Sequence, residues 1–389
     1  MELFEFTTIQ LILVTTLGIL FLIQLLYYVT IYNKIHRHNQ EVKKDKVAFD
    51  TSYPPISVII CAKNESDNIR KNLPGILEQN YPKFEVIVIN DGSTDESDDV
   101  LSAMEEKYPH LYHTFTPDST RYVSRKKLAL TLGIKASKYD WLVFTEANCY
   151  PSSKDWLKLM ARNFTPATDI VLGYSDYEPS KKWFHIKVSF DNLFSAMRYL
   201  GYALIRKPYM GIGRNMAYRK EMFFKNKGFS SHLNLQKGDD DLFINEIATR
   251  NNTRVETSTE SIMRMPPIEY RKQWKEEKVS YMATSQYYHG IQRFMLAFET
   301  FSRLLFYAAC ITLITISILS NQWILLGTAC LVYIFRFIMQ AVIINKTAKE
   351  LGEKKYYLTL PIFDIIQPLW SFKYKVVRFF RRKGDFMRR

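Results

Sequence analysis

At 389 residues the chain has room for one large domain or two smaller ones, and 47% hydrophobic against 24% charged residues excludes a disordered protein. Lys and Arg total 53 against 39 Asp and Glu, and the net charge of +14 admits nucleic acid, a membrane surface or an anionic substrate as partner. None of the four cysteines (Cys61, Cys149, Cys310, Cys330) is spaced as CxxC, which gives no sign of a zinc or redox site and fits free thiols in a reducing compartment.

Phe6 to Asn33 carries no charge and is long enough to span a bilayer. No basic stretch precedes it and no small-residue cleavage site follows, so a span is expected rather than a signal peptide. The tract KIHRHNQEVKKDK then puts this side of the span in the cytoplasm by the positive-inside rule. Pro54 and Pro55 mark the entry to a domain in which short apolar strands alternate with amphipathic helices, an α/β pattern.

Strands are expected at Ile56 to Ile60, Val86 to Ile89, Trp141 to Phe144 and Ile170 to Tyr174. Helices are expected at Ser97 to Tyr108, Ser124 to Ser137 (with Ser124 as cap), Trp156 to Phe164, and Trp183 to Leu204, which is placed under the cleft or at the membrane interface.

Leu304 to Phe335 is a second long uncharged run, broken at Ser320, Asn321 and Gln322. It reads as two helices, about Leu304 to Ser320 and Trp323 to Ile344, joined by a tight external turn, with Arg336 either snorkelling to the cytoplasmic face or pairing in the bundle. Tyr356 to Phe372 is interrupted by Pro361, Asp364 and Pro368 and reads as an interfacial helix, and the tail KYKVVRFFRRKGDFMRR is basic, which again places it inside. The expected layout is a span at 1–33, a basic cytoplasmic linker at 34–53, the α/β domain at 54–292, a membrane hairpin at 293–346 and an interfacial helix with basic tail at 347–389. Many basic residues flank the spans, so a membrane partner is favoured and nucleic acid is not expected.

Four polar clusters punctuate the α/β domain: Asn64/Glu65, Asp91/Asp95, Glu146/Asn148 and Asp239/Asp240/Asp241. Three follow expected strands, so a parallel sheet can gather them at its carboxyl edge, where such sheets bind ligands. Sugar transfer from a nucleotide diphosphate needs these parts: a carboxylate for the nucleoside, oxygen ligands for a divalent cation, and a carboxylate to deprotonate the acceptor. Lys126 and Lys127 can neutralise a diphosphate.

The ordered set strand-ICAKNES, strand-NDGSTDES, a basic-Ala-Leu helix, strand-TEANCYP, GIGRNMAYRKEMF and GDDDLFI resembles membrane-bound family-2 glycosyltransferases of the GT-A fold, of bacterial type, over about Pro54 to Tyr281. The resemblance implies a GT-A-type domain with one N-terminal membrane helix and a C-terminal hairpin. It implies donor binding by Asn64, Glu65, Asp91 and Ser93, with Lys126 near the phosphates. It places Arg214 and Asn215 on an acceptor-side loop facing the cleft, with Arg214 alternatively a structural ion-pair partner. It makes Asp240 the base, with Asp239 and Asp241 left open by the register.

Thr145-Glu146-Ala147-Asn148 falls where the family carries an Asp-x-Asp metal motif, so Mg2+ or Mn2+ is the implied cofactor, held more weakly by Glu146 and Asn148. The family's Gln-x-x-Arg-Trp motif is replaced by Glu277, Ser280 and Tyr281, which argues against a processive polymerase. The implied activity is inverting, non-processive transfer from a nucleotide-sugar to a lipid-linked or membrane-proximal acceptor in cell-envelope synthesis. The enzyme would be multi-pass in the cytoplasmic membrane with its catalytic domain inside. A catalytically degenerate scaffold protein of the same fold is the alternative.

Overall fold

Strand β1 (Ile56–Ala62) is an apolar run buried on both faces, as a central parallel strand must be. It lies between β2 (Phe84–Asn90) and, across the chain, β4 (Trp141–Glu146), both parallel to it. This computed structural model describes residues 7–117 and 124–380. The last nine residues of the basic tail fall outside the described residues.

In chain order, α1 (Thr8–Tyr27) runs through a π-helical turn (Tyr28–Tyr32) into α2 (Lys34–Lys43). After β1 come α3 (Ser66–Leu77), β2, α4 (Ser97–Lys107), β3 (Leu111–Phe115), α5 (Arg125–Ala136) and β4. Then follow β5 (Tyr150–Pro151), α6 (Trp156–Ala161), β6 (Ile170–Leu172), β7 (Ser175–Tyr177), α7 (Trp183–Leu204), β8 (Met216–Arg219), α8 (Lys220–Lys225), α9 (Asp241–Ile247), β9 (Thr253–Val255) and β10 (Met263–Met265). The chain closes with α10 (Arg271–Ser285), α11 (Gln292–Leu319), α12 (Trp323–Glu350) and α13 (Leu360–Phe380).

The main sheet has the order β3-β2-β1-β4-β8-β6-β9, with β8 antiparallel to both β4 and β6. A three-stranded sheet, β5-β10-β7, lies beside it. The chain leaves β1 toward β2 on one side, and β4 docks on the other. The strand order therefore reverses at β1, and the crevice beyond the carboxyl ends of β1 and β4 is the topological switch point where open α/β sheets take ligands. Helix α5 packs close beneath the sheet at Gly133, where an added Cβ would meet Ile89 Cδ1 at 2.5 Å and Ile59 Cγ2 at 2.9 Å.

Three local expectations need correction. Ser124 stands at the N-cap position of α5, but its hydroxyl donates to the Gln236 carbonyl rather than accepting from the helix. The strand at Ile170 stops at Leu172, and the chain crosses into the second sheet at Ser175. Helix α11 begins at Gln292, well before the uncharged run. Its polar first half is bound to the protein, through Arg198 to Glu299 and through Tyr27 Oη to the Met295 carbonyl at 2.8 Å.

Among the described residues three helical stretches are long and apolar enough to cross a membrane: Thr8–Lys43, Gln292–Leu319 and Trp323–Glu350. They pack on one another while Ile12, Leu22, Ile311, Leu331 and Phe335 stay exposed, a lipid-facing surface. Arg336 does not snorkel. It is buried, and its guanidinium donates to Asp364 of α13 at 2.8 Å, to Tyr307 Oη at 3.0 Å and to Gln24 at 3.3 Å. Arg303 reaches the same carboxylate at 3.2 Å. All four cysteines are free.

Candidate active site

The turns after β1 and β2 are tied to each other before any ligand arrives. Asn64 sits at φ +54°, a left-handed conformation that Asn tolerates. Its backbone N–H donates to Ser93 Oγ at 2.9 Å, and its side-chain oxygen accepts from the Thr94 N–H at 2.8 Å. Ser93 N–H in turn donates to Asn90 Oδ1 at 2.9 Å. Asn64 and Ser93 thus hold the shape of the edge. Glu65 stands at the N-terminus of α3 and accepts from Asn68. Burial raises its pKa, Asn68 opposes that, and the nearby Glu146 and Asp95 carboxylates raise it further. Asp91 is buried and fixed by two donors at 2.9 Å each, Thr116 Oγ1 and Arg125 Nε. Arg125 had only the basic SRKK tract as a signal.

At the end of β4 the acids converge on a cation. Lys126 Nζ, from the first turn of α5, lies 2.9 Å from Glu146 Oε1 and 3.2 Å from Asp239 Oδ2. Glu146 Oε2 accepts from Arg214 Nε at 3.1 Å, and Arg214 also donates to Glu277 at 2.6 Å. Burial pushes Glu146 upward, but Lys126, Arg214 and Lys237 outweigh it and hold its carboxyl well below the usual range. Asp239 is likewise held low by Lys126 and Lys237 against its burial. Burial works against the charge on Lys126, yet the three carboxylates of Asp239, Glu146 and Asp240 raise its pKa well above normal, so it stays charged.

Asp240 differs from Asp239 in having no cation at hydrogen-bond distance. It is the N-cap of α9. Its Oδ1 accepts from the Asp241 N–H at 2.8 Å, and its Oδ2 accepts from the Gly213 N–H at 3.0 Å and from Tyr281 Oη at 3.3 Å. Burial and the Asp239 charge push its pKa up, against Lys126 and the two amides. Asp241 is fully buried, taking hydrogen bonds from Thr284, from Tyr288 Oη at 2.7 Å and from the Leu242 N–H. Burial and Asp240 push it up to about 7. Three consecutive carboxylates therefore divide into an ion-paired one, one at the edge and an interior one.

Two expected residues do not sit as anticipated. Asn215 does not face the cleft: it is buried, accepts from Trp156 Nε1 at 3.0 Å, and donates to the carbonyls of Tyr174 and Ser261 at 2.8 Å each. A side-chain amide is a compact way to satisfy those otherwise orphaned groups. Lys127 cannot neutralise a phosphate, because it points inward and donates to the carbonyls of His232 and Leu235. Arg214 does face the cleft and is also an ion-pair partner. Tyr281, which the sequence marked only as a departure from the family motif, is the hydroxyl on Asp240.

The residues present fit a divalent cation poorly. Both Glu146 oxygens already serve cations, and Asn148 offers a neutral oxygen whose partner is the Cys149 thiol at 3.4 Å. Asp239 Oδ1 is buried and without a hydrogen-bond partner, a single free acceptor. Among the described residues no three His, Cys, Asp or Glu side chains are grouped to hold a metal ion. An ammonium occupies the space between the two carboxylates that would otherwise invite one.

Residues 57–225 match the family described as Glycosyl transferase family 2. The chain is 31% identical over 108 residues to the "Uncharacterized glycosyltransferase YibD" of Escherichia coli, covering 27% of this chain and 30% of that one. It is 30% identical over 93 residues to a Staphylococcus aureus "Poly-beta-1,6-N-acetyl-D-glucosamine synthase", covering 24% of this chain and 21% of the relative. These matches span less than a third of the relatives' own length. In fold the chain is similar to the mannosyltransferase PcManGT from Pyrobaculum calidifontis, solved with GDP-Man and Mn2+. The TM-score is 0.58 at 19% identity, covering 95% of this chain and 99% of that one. The switch-point edge, the ordered acid clusters and the matched residues agree: residues 57–225 are similar to glycosyl transferase family 2, in a fold of GT-A type joined to helices of membrane-spanning length.

Proposed function

We propose that the protein is an inverting, non-processive glycosyltransferase that moves a sugar from a nucleotide-sugar to a membrane-proximal acceptor in cell-envelope synthesis, working at the cytoplasmic face. One observation carries the reading. A cation bridging two carboxylates, Lys126 between Glu146 and Asp239, lies at the strand ends beside a carboxylate with no cation of its own, Asp240. The first arrangement suits a diphosphate and the second suits a proton.

In this reading the turns at Asn64, Glu65, Asp91 and Ser93 take the nucleoside, and Lys126 and Arg214 face the diphosphate. Asp240 accepts the proton of the acceptor hydroxyl. The acceptor oxygen forms a bond to the anomeric carbon as the bond from that carbon to the diphosphate oxygen breaks, and the electron pair departs with the nucleoside diphosphate. A single in-line displacement inverts the anomeric centre, and no second carboxylate is required as nucleophile. Charge at the leaving group is met by groups already fixed in place, the economical form of electrostatic catalysis. With both Glu146 oxygens on cations and Asn148 neutral, no part of this reaction is routed through a divalent cation. Glu277, Ser280 and Tyr281 in place of the polymerase motif support transfer of single sugars.

Donor binding is tested by thermal shift of the purified chain with GDP-mannose and UDP-GlcNAc, with and without Mn2+, since a ligand of the folded state raises stability by mass action. We expect one nucleotide-sugar to raise Tm in the presence of chelator, Lys126→Ala to abolish that rise, and Asn148→Asp to create a Mn2+-dependent increment. No response to any nucleotide-sugar would overturn the reading. A response wholly dependent on metal in the unaltered chain would overturn the role given to Lys126.

A further inference from the structure

Helices α2 and α12 leave the apolar stretches of the membrane-length helices side by side, and the loop between β9 and β10 meets them there. A cavity of about 590 Å³ opens at this junction, within the range of about 300–1,000 Å³ usual for ligand sites. It is lined by His36 and Lys43 of α2, by Lys346, Lys349 and Glu350 of α12, and by Thr259 of the α/β domain.

The charge of this cavity is one-sided. Glu350 is the single carboxylate among its described lining residues, and both of its oxygens are taken. They lie 3.2 Å from His36 Nδ1 and 3.0 Å from Lys43 Nζ, and accept from Asn39 and Gln40 at 3.4 Å each. The neighbouring acids serve other cations, Glu41 with Lys34 at 3.9 Å and Glu256 with Arg162 at 2.7 Å. Lys346 and Lys349 are exposed, with no carboxylate at ion-pair distance among the described residues. The Thr259 hydroxyl is likewise without a hydrogen-bond partner among them.

Exposed lysines are ordinary by themselves. What sets these two apart is the surface that leads to them. Leu331, Phe335, Ile338 and Val342 of α12 are exposed, and together with Lys346 and Lys349 they recur at steps of three and four residues, along one face of the helix. The lipid-facing stripe of α12 therefore runs straight into two free ammonium groups, at the depth where a span ends and bilayer phosphates lie.

We propose that this cavity is a binding site for the headgroup of an anionic membrane phospholipid. The phosphate pairs with Lys346 and Lys349, the Thr259 hydroxyl donates to one of its oxygens, and the acyl chains lie along Val342, Ile338 and Phe335. Because the walls come from α2, α12 and the α/β domain, a bound headgroup fastens the domain to its membrane helices. The apolar stripe commits the site to a lipid rather than to free phosphate. None of its residues belongs to the donor edge.

The test is native mass spectrometry of the full chain in detergent, titrated with dioctanoyl phosphatidylglycerol and with dioctanoyl phosphatidylcholine. We expect one saturable site for phosphatidylglycerol, at least about tenfold tighter than for phosphatidylcholine. Lys346→Gln together with Lys349→Gln should weaken it about thirtyfold, the combined effect of two basic residues at a headgroup. Lys135→Gln together with Lys225→Gln, two exposed lysines elsewhere on the α/β domain, should leave it unchanged. Equal affinity for the two lipids in the unaltered chain overturns the proposal without need of a variant. So does unchanged affinity after substitution of Lys346 and Lys349, or an equal loss after substitution of Lys135 and Lys225. Inorganic phosphate that displaces phosphatidylglycerol at equal concentration would make the cavity a site for a soluble anion, and the lipid assignment would fall.

Discussion

Asp239, Asp240 and Asp241 show how neighbours decide what identical side chains can do. Asp239 faces Lys126 and is held ionised, Asp241 is enclosed by Thr284, Tyr288 and the start of α9, and Asp240 alone combines an upward-shifted pKa with a position at the edge. A base must be deprotonated to work, so the acid limb of kcat/KM should lie above the ordinary aspartate value of about 4. The Asp239 and Asp240 carboxylates are neighbours, and the Asp239 charge, with burial, raises the pKa of Asp240. Asp239→Asn removes that negative charge. The acid limb should then move to lower pH, measured as the pH profile of kcat/KM. A limb that stays in place, or moves up, would contradict the coupling. None of this partition was legible in the sequence: GDDD marks an acidic cluster, but the surroundings of Asp240 are fixed by Gly213 and Tyr281, which arrive from distant elements.

At the level of elements, β1, β2 and β4 were readable because each is an unbroken apolar run buried on both faces, and each ends in a polar turn. Strand β3, LYHTF, was not, because it lies at the sheet edge with its side chains partly exposed and shows no clean run. Strand β6 was read from its apolar start at Ile170, but β7 to β10 are only three or four residues long, too short for a period to show. The buried role of Asn215 was also illegible, since Trp156, Tyr174 and Ser261 lie far from it in sequence. The membrane helices were read easily, but their mutual fastening was not. Asp364 on α13 is clasped by Arg303 of α11 and Arg336 of α12, with Tyr307 on the same oxygen as Arg336. Asp364→Leu leaves the buried Arg336 without a carboxylate and Arg303 with Glu299 alone, and should cost on the order of 3–5 kcal/mol, read as a large fall in Tm in detergent. Adding Arg303→Leu and Arg336→Leu should recover much of that loss. An unaltered Tm for the single variant would show that the network does not fasten α13.

For the whole molecule, the switch-point edge adjoins a cavity beside α7 and α13 through Arg214 and Tyr281, and α13 is fastened to the membrane-length helices α11 and α12 through Asp364. The proposed orientation puts the α/β domain inside and the short turn between α11 and α12 outside. In a background with the native cysteines replaced by serine, a cysteine at Asn321 should react with an impermeant reagent in intact cells, and one at Ser230 should be spared. The reverse pattern would invert the topology. The most direct measurement for the molecule as a whole is transfer by the purified full chain in nanodiscs, with the nucleotide-sugar that raises its Tm, comparing the unaltered chain with Asp240→Asn. Asn keeps the size and the contacts with Gly213 but cannot take a proton. We expect the unaltered chain to release nucleoside diphosphate and glycosylate the acceptor, and Asp240→Asn to lose roughly 10²–10⁴-fold in rate with its donor Kd nearly unchanged. Transfer undiminished in Asp240→Asn, or no turnover of a bound nucleotide-sugar by the unaltered chain, would contradict it.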